Sequence, residues 1–531
     1  MRDESFITDQ QYREAARSPL EARWHAMPSA APHLAMHLAP YSQVQTTIDA
    51  KTQDHTRELT TYFLKQYDGK ISNAAAVVIE VETSTILAYS GSADFFRSDG
   101  GQIDLARAVR SPGSALKPFV YAYAMQHDLV YPSEMLLDDV LDYGDYSPAN
   151  FDGAFNGLIT AADALRYSLN VPAVQLLERS GVSNVHATLQ QLGLTTLDRA
   201  PSHYGLGLTL GNCGVRLDEL AAAYASLANN GVYRSPQVVK DADAGLPKPV
   251  FDAAVAATIL DLLRQPLPRE LPHSLVQRHR ALAPVAWKTG TSTGHRDAWA
   301  FVFNRQYVVG VWMGNPDGRP AEQLVGADAA LPLAGALFRR LPAKDKPAWP
   351  ELTQTHRMVL VCADSGLPRS TACDASIEVR LPRSMYTARR CDVHRSQITL
   401  AESIRRWPAD ARHWNLASIQ NPIPLRGNAG HVQAALRITS PANDAEYVLT
   451  GKPSGDRIRL QASLEIDQQV HWYSNGHYLG MSDASTPQYL DLASGEHEIA
   501  CMVENGATDS IRITVYDPRG GPGHPPGGPL Q

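Results

Sequence analysis

The residues of this sequence that could perform chemistry begin with a serine and a lysine three positions apart. Ser114 and Lys117 lie in the segment SALK, which follows a Pro-Gly pair and precedes an apolar stretch typical of a buried helix. A serine at a helix start lies near free backbone N–H groups, and a lysine one turn later lies on the same face. A desolvated lysine there loses its proton more readily and can act as general base for the serine. The segment indicates a nucleophile with its base; the alternative is a capping serine beside a surface lysine.

A second segment, SLN from Ser168 to Asn170, falls at the end of a predicted helix and directly before a Val-Pro pair. The residue before a proline is disfavoured in helical geometry, so we expect both polar side chains at a corner between helices. From such a corner they can point into a cleft. Ordinary caps at a helix end are the alternative.

A third segment, KTGT from Lys288 to Thr291, follows a short strand pattern. Gly290 allows another segment to approach the strand closely. The hydroxyls of Thr289 and Thr291 can bind a carboxylate together with the Lys288 ammonium. An edge-strand lysine beside a glycine bulge is the alternative.

The three segments each occur once, in the order S-x-x-K, S-x-N, K-T-G, separated by 54 and 120 residues. Chance agreement of all three in this order is rare. β-Lactamases and penicillin-binding proteins carry the same set, with S-D-N in the middle. The chain resembles the penicillin-binding proteins, and most of all the transpeptidase part of bifunctional class A enzymes of the 1C type. The resemblance spans roughly 40–517 and is carried by RSPGSALKPFVYA, ALRYSLNVPAVQLLE, LDELAAAYASLANNGVY and AWKTGTSTGHRDAWAFVF.

The resemblance implies a D,D-transpeptidase that works through an acyl-serine intermediate on stem peptides ending in D-Ala-D-Ala. Ser114 would attack the peptide carbonyl, Lys117 would take its proton, and Ser168 would relay a proton to the departing D-Ala. The backbone N–H groups of Ser114 and Thr291 would form the oxyanion hole, and Asn170 would bind the peptide amide. The implied site residues are catalytic Ser114, Lys117 and Ser168, and substrate-binding Asn170, Lys288, Thr289, Gly290 and Thr291.

The expected partners are peptidoglycan stem peptides and β-lactams, which would acylate Ser114 as substrate mimics. No cofactor is expected. A serine-type D,D-carboxypeptidase, with water as acceptor, is the nearest alternative, and a non-enzymatic cell-wall binding or scaffolding protein is the second. The sequence does not identify the acyl acceptor or the oligomeric state.

Composition and charge limit the other classes of function. The chain has 531 residues, of which 44% are hydrophobic and 19% charged, as in folded globular proteins. Its net charge of −7 provides no basic surface for DNA or RNA, so nucleic acid is excluded as an expected partner. No apolar run reaches the roughly 18 residues of a membrane-spanning helix, and the charged N-terminus does not resemble a signal peptide.

The fold class that we predict is α+β, with an antiparallel sheet and helices in a transpeptidase domain of the penicillin-binding protein and serine β-lactamase type. A C-terminal immunoglobulin-like β-sandwich is expected because strand patterns of period two and an Asn475-Gly476 hairpin signal occur there. Its ligand, a protein or a glycan, is not identified. The predicted divisions are a helical lead-in (1–40), the transpeptidase domain (41–341), a cysteine-containing connector without regular structure (342–427), the sandwich (428–517) and a disordered tail (518–531).

Class A enzymes also carry a membrane anchor and a glycosyltransferase domain. No E-D-x-x-F glycosyltransferase motif occurs in this sequence. We therefore expect no glycan polymerisation from this chain, and residues 1–40 are interpreted as the end of that domain from a longer parent chain. The resemblance implies a periplasmic location, although the chain encodes no export signal; the sequence does not decide between a fragment and an intact gene product.

Three of the five cysteines, Cys362, Cys373 and Cys391, lie within 30 residues. In an oxidising compartment they could form a disulfide and leave one free thiol. The spacing Cys391-x-x-His394 also permits a Cys3His zinc site. We interpret them as partly bridged structural cysteines and assign no metal ligand.

Overall fold

The structure is a computed structural model of the whole chain. It describes residues 7–17, 29–39, 43–67, 69–97, 99–141, 147–243, 245–267, 284–321, 324–386, 388–396, 403–405, 436–441, 443, 445–449, 457–463, 469–475, 477–483, 488–491, 493–503 and 508–516. The predicted disordered tail and the junction between connector and sandwich lie outside the described residues.

Within the described residues, helices occur throughout the part of the chain before residue 356. They are α1 (Asp9–Arg17), α2 (Pro32–Leu38), α3 (Ala50–Lys65), α4 (Lys117–Gln126), α5 (Ala161–Arg166), α6 (Asn170–Ser180), α7 (Val182–Gln191), α8 (Pro201–Tyr204), α9 (Leu217–Ala228), α10 (Ala253–Leu262), α11 (Ala330–Arg340) and α12 (Leu352–Thr355). None of them combines the length and apolar character needed to cross a bilayer, as far as the described residues extend.

The strands before the C-terminal region come next. They are β1 (Asn73–Glu80), β2 (Thr85–Ser90), β3 (Met135–Asp138), β4 (Gly157–Thr160), β5 (Val232–Tyr233), β6 (Lys248–Pro249), β7 (Ala286–Thr291), β8 (Asp297–Phe303), β9 (Tyr307–Gly314), β10 (His356–Cys362), β11 (Ser376–Pro382), β12 (His394–Ser396) and β13 (Ser403–Arg405).

A five-stranded antiparallel sheet in the order β2-β1-β9-β8-β7 separates two apolar cores. Because side chains alternate along a strand, each strand contributes to both cores. In β8, Trp299 and Phe301 enter the core that contains α4 and α9, whereas Ala298 and Ala300 enter the core under α3 and α11. The sheet is therefore covered by helices on both faces, and β7 is its last strand.

The patterns that predict this sheet are confirmed. Two apolar runs around Thr83-Ser84 predict a hairpin over 74–91, and the structure has the antiparallel pair β1 and β2 there. Apolar runs with short turns predict three sequential strands over 284–315, and these are β7, β8 and β9. The pattern RLDELAAAYASLANNG, which ends at Asn230-Gly231, predicts a helix over 216–231, and this helix is α9. The α+β fold class is confirmed as well.

The prediction of irregular structure for the connector (342–427) is wrong for part of it, because β10 and β11 form an antiparallel hairpin there. Only part of each strand is buried: Met358 and Leu360 of β10 are exposed, whereas Leu381 of β11 is fully buried. Such half-covered strands lack the long apolar run by which a buried strand is recognised in a sequence.

The C-terminal region consists of strands in two sheets, in the orders β14-β16-β19 and β15-β21-β20-β17-β18. Ile458 and Leu460 of the first sheet and Trp472 and Ile513 of the second share one buried core, as in a β-sandwich. The hairpin predicted at Asn475 is confirmed by the pairing of β17 with β18. The strands are β14 (Arg437–Ser440), β15 (Ala445–Val448), β16 (Arg457–Ser463), β17 (Gln469–Ser474), β18 (His477–Asp483), β19 (Gln488–Asp491), β20 (Gly495–Val503) and β21 (Thr508–Tyr516).

Candidate active site

Ser114 lies in a single 3-10 turn, Gly113–Leu116, that leads directly into α4 at Lys117. The turn packs tightly against the end of β7. Gly113 has a φ of +53°, and a Cβ atom there would lie 2.3 Å from the Thr291 carbonyl oxygen. Only glycine permits this approach, which brings Ser114 beside the KTGT strand.

Lys117 is fully buried at the first position of α4. Its Nζ donates to the Ser168 carbonyl oxygen at 2.5 Å and to Asn170 Oδ1 at 2.6 Å. Burial holds the pKa of Lys117 well below its usual range, and the nearby charge of Lys288 lowers it further, whereas Asp138 acts in the opposite direction. A lysine in this environment is readily available as a neutral amine, the form that a general base requires.

The segment from Ser168 to Asn170 is the corner between α5 and α6. Ser168 has a φ of +62°, a left-handed conformation that is uncommon for residues with a side chain. This conformation directs the Ser168 carbonyl toward Lys117, while the Ser168 hydroxyl accepts from Lys288 Nζ at 2.7 Å. One corner thus contacts both lysines.

Lys288 lies on β7 with only 2% of its surface exposed. Besides Ser168 Oγ, its Nζ donates to the Thr289 carbonyl oxygen at 2.8 Å. Burial lowers the pKa of Lys288 to about 7. The group therefore titrates near neutral pH, so its ability to hold an anion depends on pH in that range.

The rest of the KTGT segment is divided between the two faces of β7. Gly290 lies on the same face as Lys288, and a Cβ atom at Gly290 would lie 2.1 Å from the Pro112 carbonyl oxygen. Thr289 and Thr291 alternate to the opposite face, where Thr291 Oγ1 accepts from the Gly326 backbone N–H at 3.0 Å. The two threonine hydroxyls therefore do not contact Lys288.

A supporting network was not identified from the sequence. Asn170 N donates to Asn150 Oδ1 at 2.7 Å, and Asn150 Nδ2 donates to both carboxylate oxygens of Asp138 at 2.8 Å. Asp138 also accepts from the backbone and side chain of Asn156. Asp138 is completely buried at the end of β3, and burial raises its pKa. The network fixes the position of Asn170. Asp138, Asn150 and Asn156 belong to no recognisable sequence motif, because they act on Asn170 only through contacts formed in the folded protein.

A cleft of about 1010 Å³ adjoins the segment before the serine turn and the end of β7, but Ser114, Lys117, Ser168 and Lys288 do not line it. Ser111, from the strand-like approach to the serine turn, and Ser292, from the end of β7, both line it. Ser111 Oγ donates to the carbonyl oxygen of Gly211, which also lines the cleft, at 2.7 Å. The cleft therefore borders the segments that carry the candidate catalytic side chains and does not enclose those side chains.

A second cluster of reactive side chains lies in the connector. The ligand atoms of Cys362, Cys373, Cys391 and His394 all lie within 4.8 Å of one another, and all four residues are buried. The three thiols are free in the structure. These four residues are those of the Cys3His arrangement that the sequence spacing permits, and the β10–β11 hairpin brings Cys362 and Cys373 together.

Comparison with known families agrees with the geometry of the first site. Residues 74–299 match the family model of the penicillin-binding protein transpeptidase domain. The chain contains a penicillin-binding protein transpeptidase domain. Residues 427–513 match the penicillin-binding protein C-terminus family, so the C-terminal sandwich lies in a region of the same protein class.

Curated relatives are similar to the chain over the transpeptidase domain and its surroundings. Penicillin-binding protein 1C of Escherichia coli is 36% identical over 331 residues, which cover 61% of this chain and 42% of that protein. Penicillin-binding protein 1F of Bacillus subtilis is 32% identical over 266 residues, which cover 47% of this chain and 36% of that protein. The matched part is less than half the length of these relatives.

Solved structures support the fold. Penicillin-binding protein 1A from Haemophilus influenzae superposes with a TM-score of 0.58 at 16% identity, covering 73% of this chain and 81% of that one. The penicillin-binding protein PonA1 from Mycobacterium tuberculosis superposes with a TM-score of 0.51 at 20% sequence identity, covering 61% of this chain and 94% of that one. At these identities the likeness establishes the architecture of the transpeptidase domain.

Proposed function

We propose that this chain is a peptidoglycan D,D-transpeptidase that cleaves D-Ala-D-Ala stem peptides through an acyl-serine intermediate. The observation that supports this most strongly is the hydrogen-bonded set of Lys117, Ser168, Asn170 and Lys288, which come from three separate segments. Ser114 lies in the turn that leads directly into Lys117. A helix cap or a surface lysine would require none of these buried contacts.

In the proposed first step, Ser114 Oγ attacks the carbonyl carbon between the two D-alanines, and its proton passes to the neutral Lys117 amine. The C–N bond then breaks, and Ser168 relays a proton to the departing D-Ala amine. Backbone N–H groups of Ser114 and Thr291 stabilise the oxyanion, an effect of about 3–4 kcal/mol per donor in other acyl-transfer enzymes. An amine of a neighbouring stem peptide subsequently takes the acyl group from Ser114, forming a cross-link.

Substrate recognition follows from the positions of the remaining groups. The hydroxyls of Thr289 and Thr291 bind the terminal carboxylate on one face of β7, and protonated Lys288, buried on the opposite face, attracts it by its charge without contacting it. The amide of Asn170 binds the peptide backbone. β-Lactams carry an equivalent carboxylate and a strained amide, so they acylate Ser114 in place of the stem peptide. Because stem peptides occur outside the inner membrane, the proposal places the protein in the periplasm.

The decisive experiment is acylation by a fluorescent penicillin, followed on a denaturing gel. Wild-type protein should form a covalent fluorescent band, and Ser114→Ala should form none because the nucleophilic oxygen is missing. Ser235→Ala, at an exposed serine, should label like the wild type and serves as the matched control. Labelling of Ser114→Ala, or unlabelled but folded wild-type protein, would refute the acyl-serine mechanism.

A second measurement separates the transpeptidase from the carboxypeptidase. Incubation with stem peptides should give cross-linked dimers when the acceptor is an amine. Shortened monomers alone would show that water is the acceptor, and the acyl-serine site would then serve a D,D-carboxypeptidase.

A further inference from the structure

The buried cluster in the connector has the composition of a metal site. Cys362 ends β10, Cys373 lies in the loop that follows, and Cys391 and His394 come from the segment after the hairpin. The four residues are between 0 and 7% exposed. Three thiols and one imidazole are ligands that favour zinc, whereas magnesium and calcium prefer oxygen ligands.

The distances in the cluster agree with a single tetrahedral ion. His394 Nδ1 lies 3.4 Å from Cys362 Sγ and 3.4 Å from Cys391 Sγ. Tetrahedral bonds of about 2.3 Å to sulfur and about 2.0 Å to nitrogen place the sulfur and nitrogen atoms about 3.5 Å apart. The observed separations are close to this value. The limit of 4.8 Å on all pairs leaves room for one ion rather than a polynuclear cluster.

Groups around the cluster are arranged as the outer partners of metal ligands usually are. His394 presents Nδ1 to the sulfurs, while its Nε2 lies 3.1 Å from the Asp364 carboxylate on the other side of the ring. A carboxylate is a common outer partner of a ligating histidine. The Ser370 backbone N–H donates to Cys373 Sγ at 3.3 Å, a contact that stabilises a thiolate.

The backbone holds the ligand segments together independently of the side chains. Cys362 N donates to the Leu367 carbonyl oxygen at 2.8 Å, and Cys391 N donates to the Pro368 carbonyl oxygen at 2.8 Å. The loop after Cys362 therefore binds the distant Cys391 segment directly. Such a preformed arrangement lowers the conformational entropy lost on binding an ion.

We propose that Cys362, Cys373, Cys391 and His394 bind one zinc ion as a closed structural site. The four protein ligands complete a tetrahedron, so no coordination position is left for a substrate. The site has a structural rather than a catalytic function, and it is separate from the proposed acyl-serine chemistry.

The structural function is to attach the connector to β3, the strand that supports the transpeptidase site. From the loop that follows Cys362, the Ser365 carbonyl accepts from Met135 N at 2.9 Å, and the Gly366 carbonyl accepts from Ser133 Oγ at 2.6 Å. Met135 begins β3, the strand that ends at Asp138, which in turn supports Asn170 through Asn150. Loss of the ion should therefore loosen β3 and reduce the rate of Ser114 acylation.

The test is the zinc content of the full chain, purified from cells grown with added zinc and measured by elemental mass spectrometry. The wild type should contain about one zinc per chain, and Cys373→Ala should contain at least about tenfold less. Cys501→Ala removes a buried cysteine of the sandwich and should retain the ion, which makes it the matched control. Chelation of the wild type should lower its melting temperature and slow its labelling by fluorescent penicillin.

Two outcomes would overturn the proposal. One is intact-mass and thiol analysis showing a disulfide among the three cysteines, with no zinc in the folded protein. The other is a Cys373→Ala protein that retains as much zinc as the wild type. If Cys373→Ala does not fold, wild-type protein stripped of metal should take up one Co²⁺ and show the absorption of tetrahedral thiolate coordination. Failure of the stripped, folded protein to bind cobalt or zinc would also refute the site.

Discussion

The two buried lysines have different surroundings, in agreement with the different chemical tasks that we propose for them. Lys117 has no contact with bulk water and lies near a second cation, so its neutral form is favoured. Lys288 keeps a pKa of about 7, and its protonated form remains accessible below that pH. Pairs of titratable groups whose environments separate their roles in this way are typical of acid–base sites.

We expect the second-order rate constant for acylation by penicillin to fall as the pH rises above about 7. The Lys288 ammonium loses its proton in that range in the free protein, and with it the attraction for the penicillin carboxylate. At lower pH the rate should decline because Lys117 becomes protonated and cannot accept the Ser114 proton. Stopped-flow measurement of labelling between pH 5 and pH 9 would give the profile.

Lys288→Arg is the control for this assignment. Arginine remains protonated throughout this pH range, so the decline above neutral pH should disappear even if the absolute rate is lower. A wild-type rate that stays constant from neutral to alkaline pH would contradict the role given to Lys288.

At the scale of the elements, the site depends on close packing between the serine turn and β7. Gly113 faces the Thr291 backbone, and Gly290 faces the Pro112 backbone. Tyr224 of α9 supports the turn from behind, since its hydroxyl donates to the Ala115 carbonyl oxygen at 2.6 Å and its ring stacks on Phe301. A helix, a turn and a strand are thus held in contact by backbone approaches that tolerate no additional side chain.

Gly290→Ala should reduce the rate of Ser114 acylation by at least about 100-fold, because a 1 Å displacement of reacting groups has effects of that order. The new methyl group would collide with the Pro112 carbonyl, which belongs to the backbone and cannot rotate away. The free energy of unfolding should also decrease, by about 1–3 kcal/mol, as in other overpacked sites. Penicillin labelling and thermal unfolding of the purified variant test both effects.

Gly335→Ala is the matched control, a glycine-to-alanine change in the same domain but away from the contact between the serine turn and β7. Gly335 lies in α11, where a Cβ atom would make only ordinary contacts with Leu267 at 3.5 Å or more. Alanine is the better helix former by about 0.5–1 kcal/mol, so this variant should be slightly more stable and label normally. Equal labelling by the two variants would disprove the importance of the turn–strand contact.

At the scale of the whole molecule, the connector is part of the larger core. Cys362, Leu367 and Leu381 belong to the same buried cluster as Phe119 and Tyr131. Arg389 adds a bidentate pair with the buried carboxylate of Glu134, at 2.8 and 3.0 Å. The predicted boundary at residue 341 therefore separates segments that are packed together, although it can still mark a change in sequence character.

A chain ending at residue 341 should be insoluble or strongly destabilised, because truncation exposes apolar side chains that the connector covers. A chain ending at residue 427 lacks the sandwich but keeps this interface, and it should fold and label with fluorescent penicillin. Expression, thermal unfolding and labelling of the two chains would test the expectation. Full stability of the shorter chain would show that the shared core contributes little.

The sequence permitted accurate prediction of the elements that have strong local patterns. The sheet strands β7 to β9 are apolar runs with short turns, and α9 has a clear helical period, so local physics decides their conformation. The hairpin β10–β11 was missed because its strands are half exposed and interrupted by charges. The supporting residues Asp138 and Asn150 were missed for another reason. They belong to no sequence motif, and their contacts with each other and with Asn170 form only when the chain folds.

By itself, the sequence determined the types, order and local context of the proposed site residues, because a serine turn, a helix corner and a strand are each predicted by a short local sequence pattern. Only the tertiary structure decided which atoms meet. Contact between Lys117 and Ser168, and between Ser168 and Lys288, requires the closure of loops 51 and 120 residues long. Their burial, which lowers the pKa of both lysines, comes from side chains contributed by the whole core. The meeting of three cysteines and a histidine has the same origin, since no local pattern encodes the distance between segments.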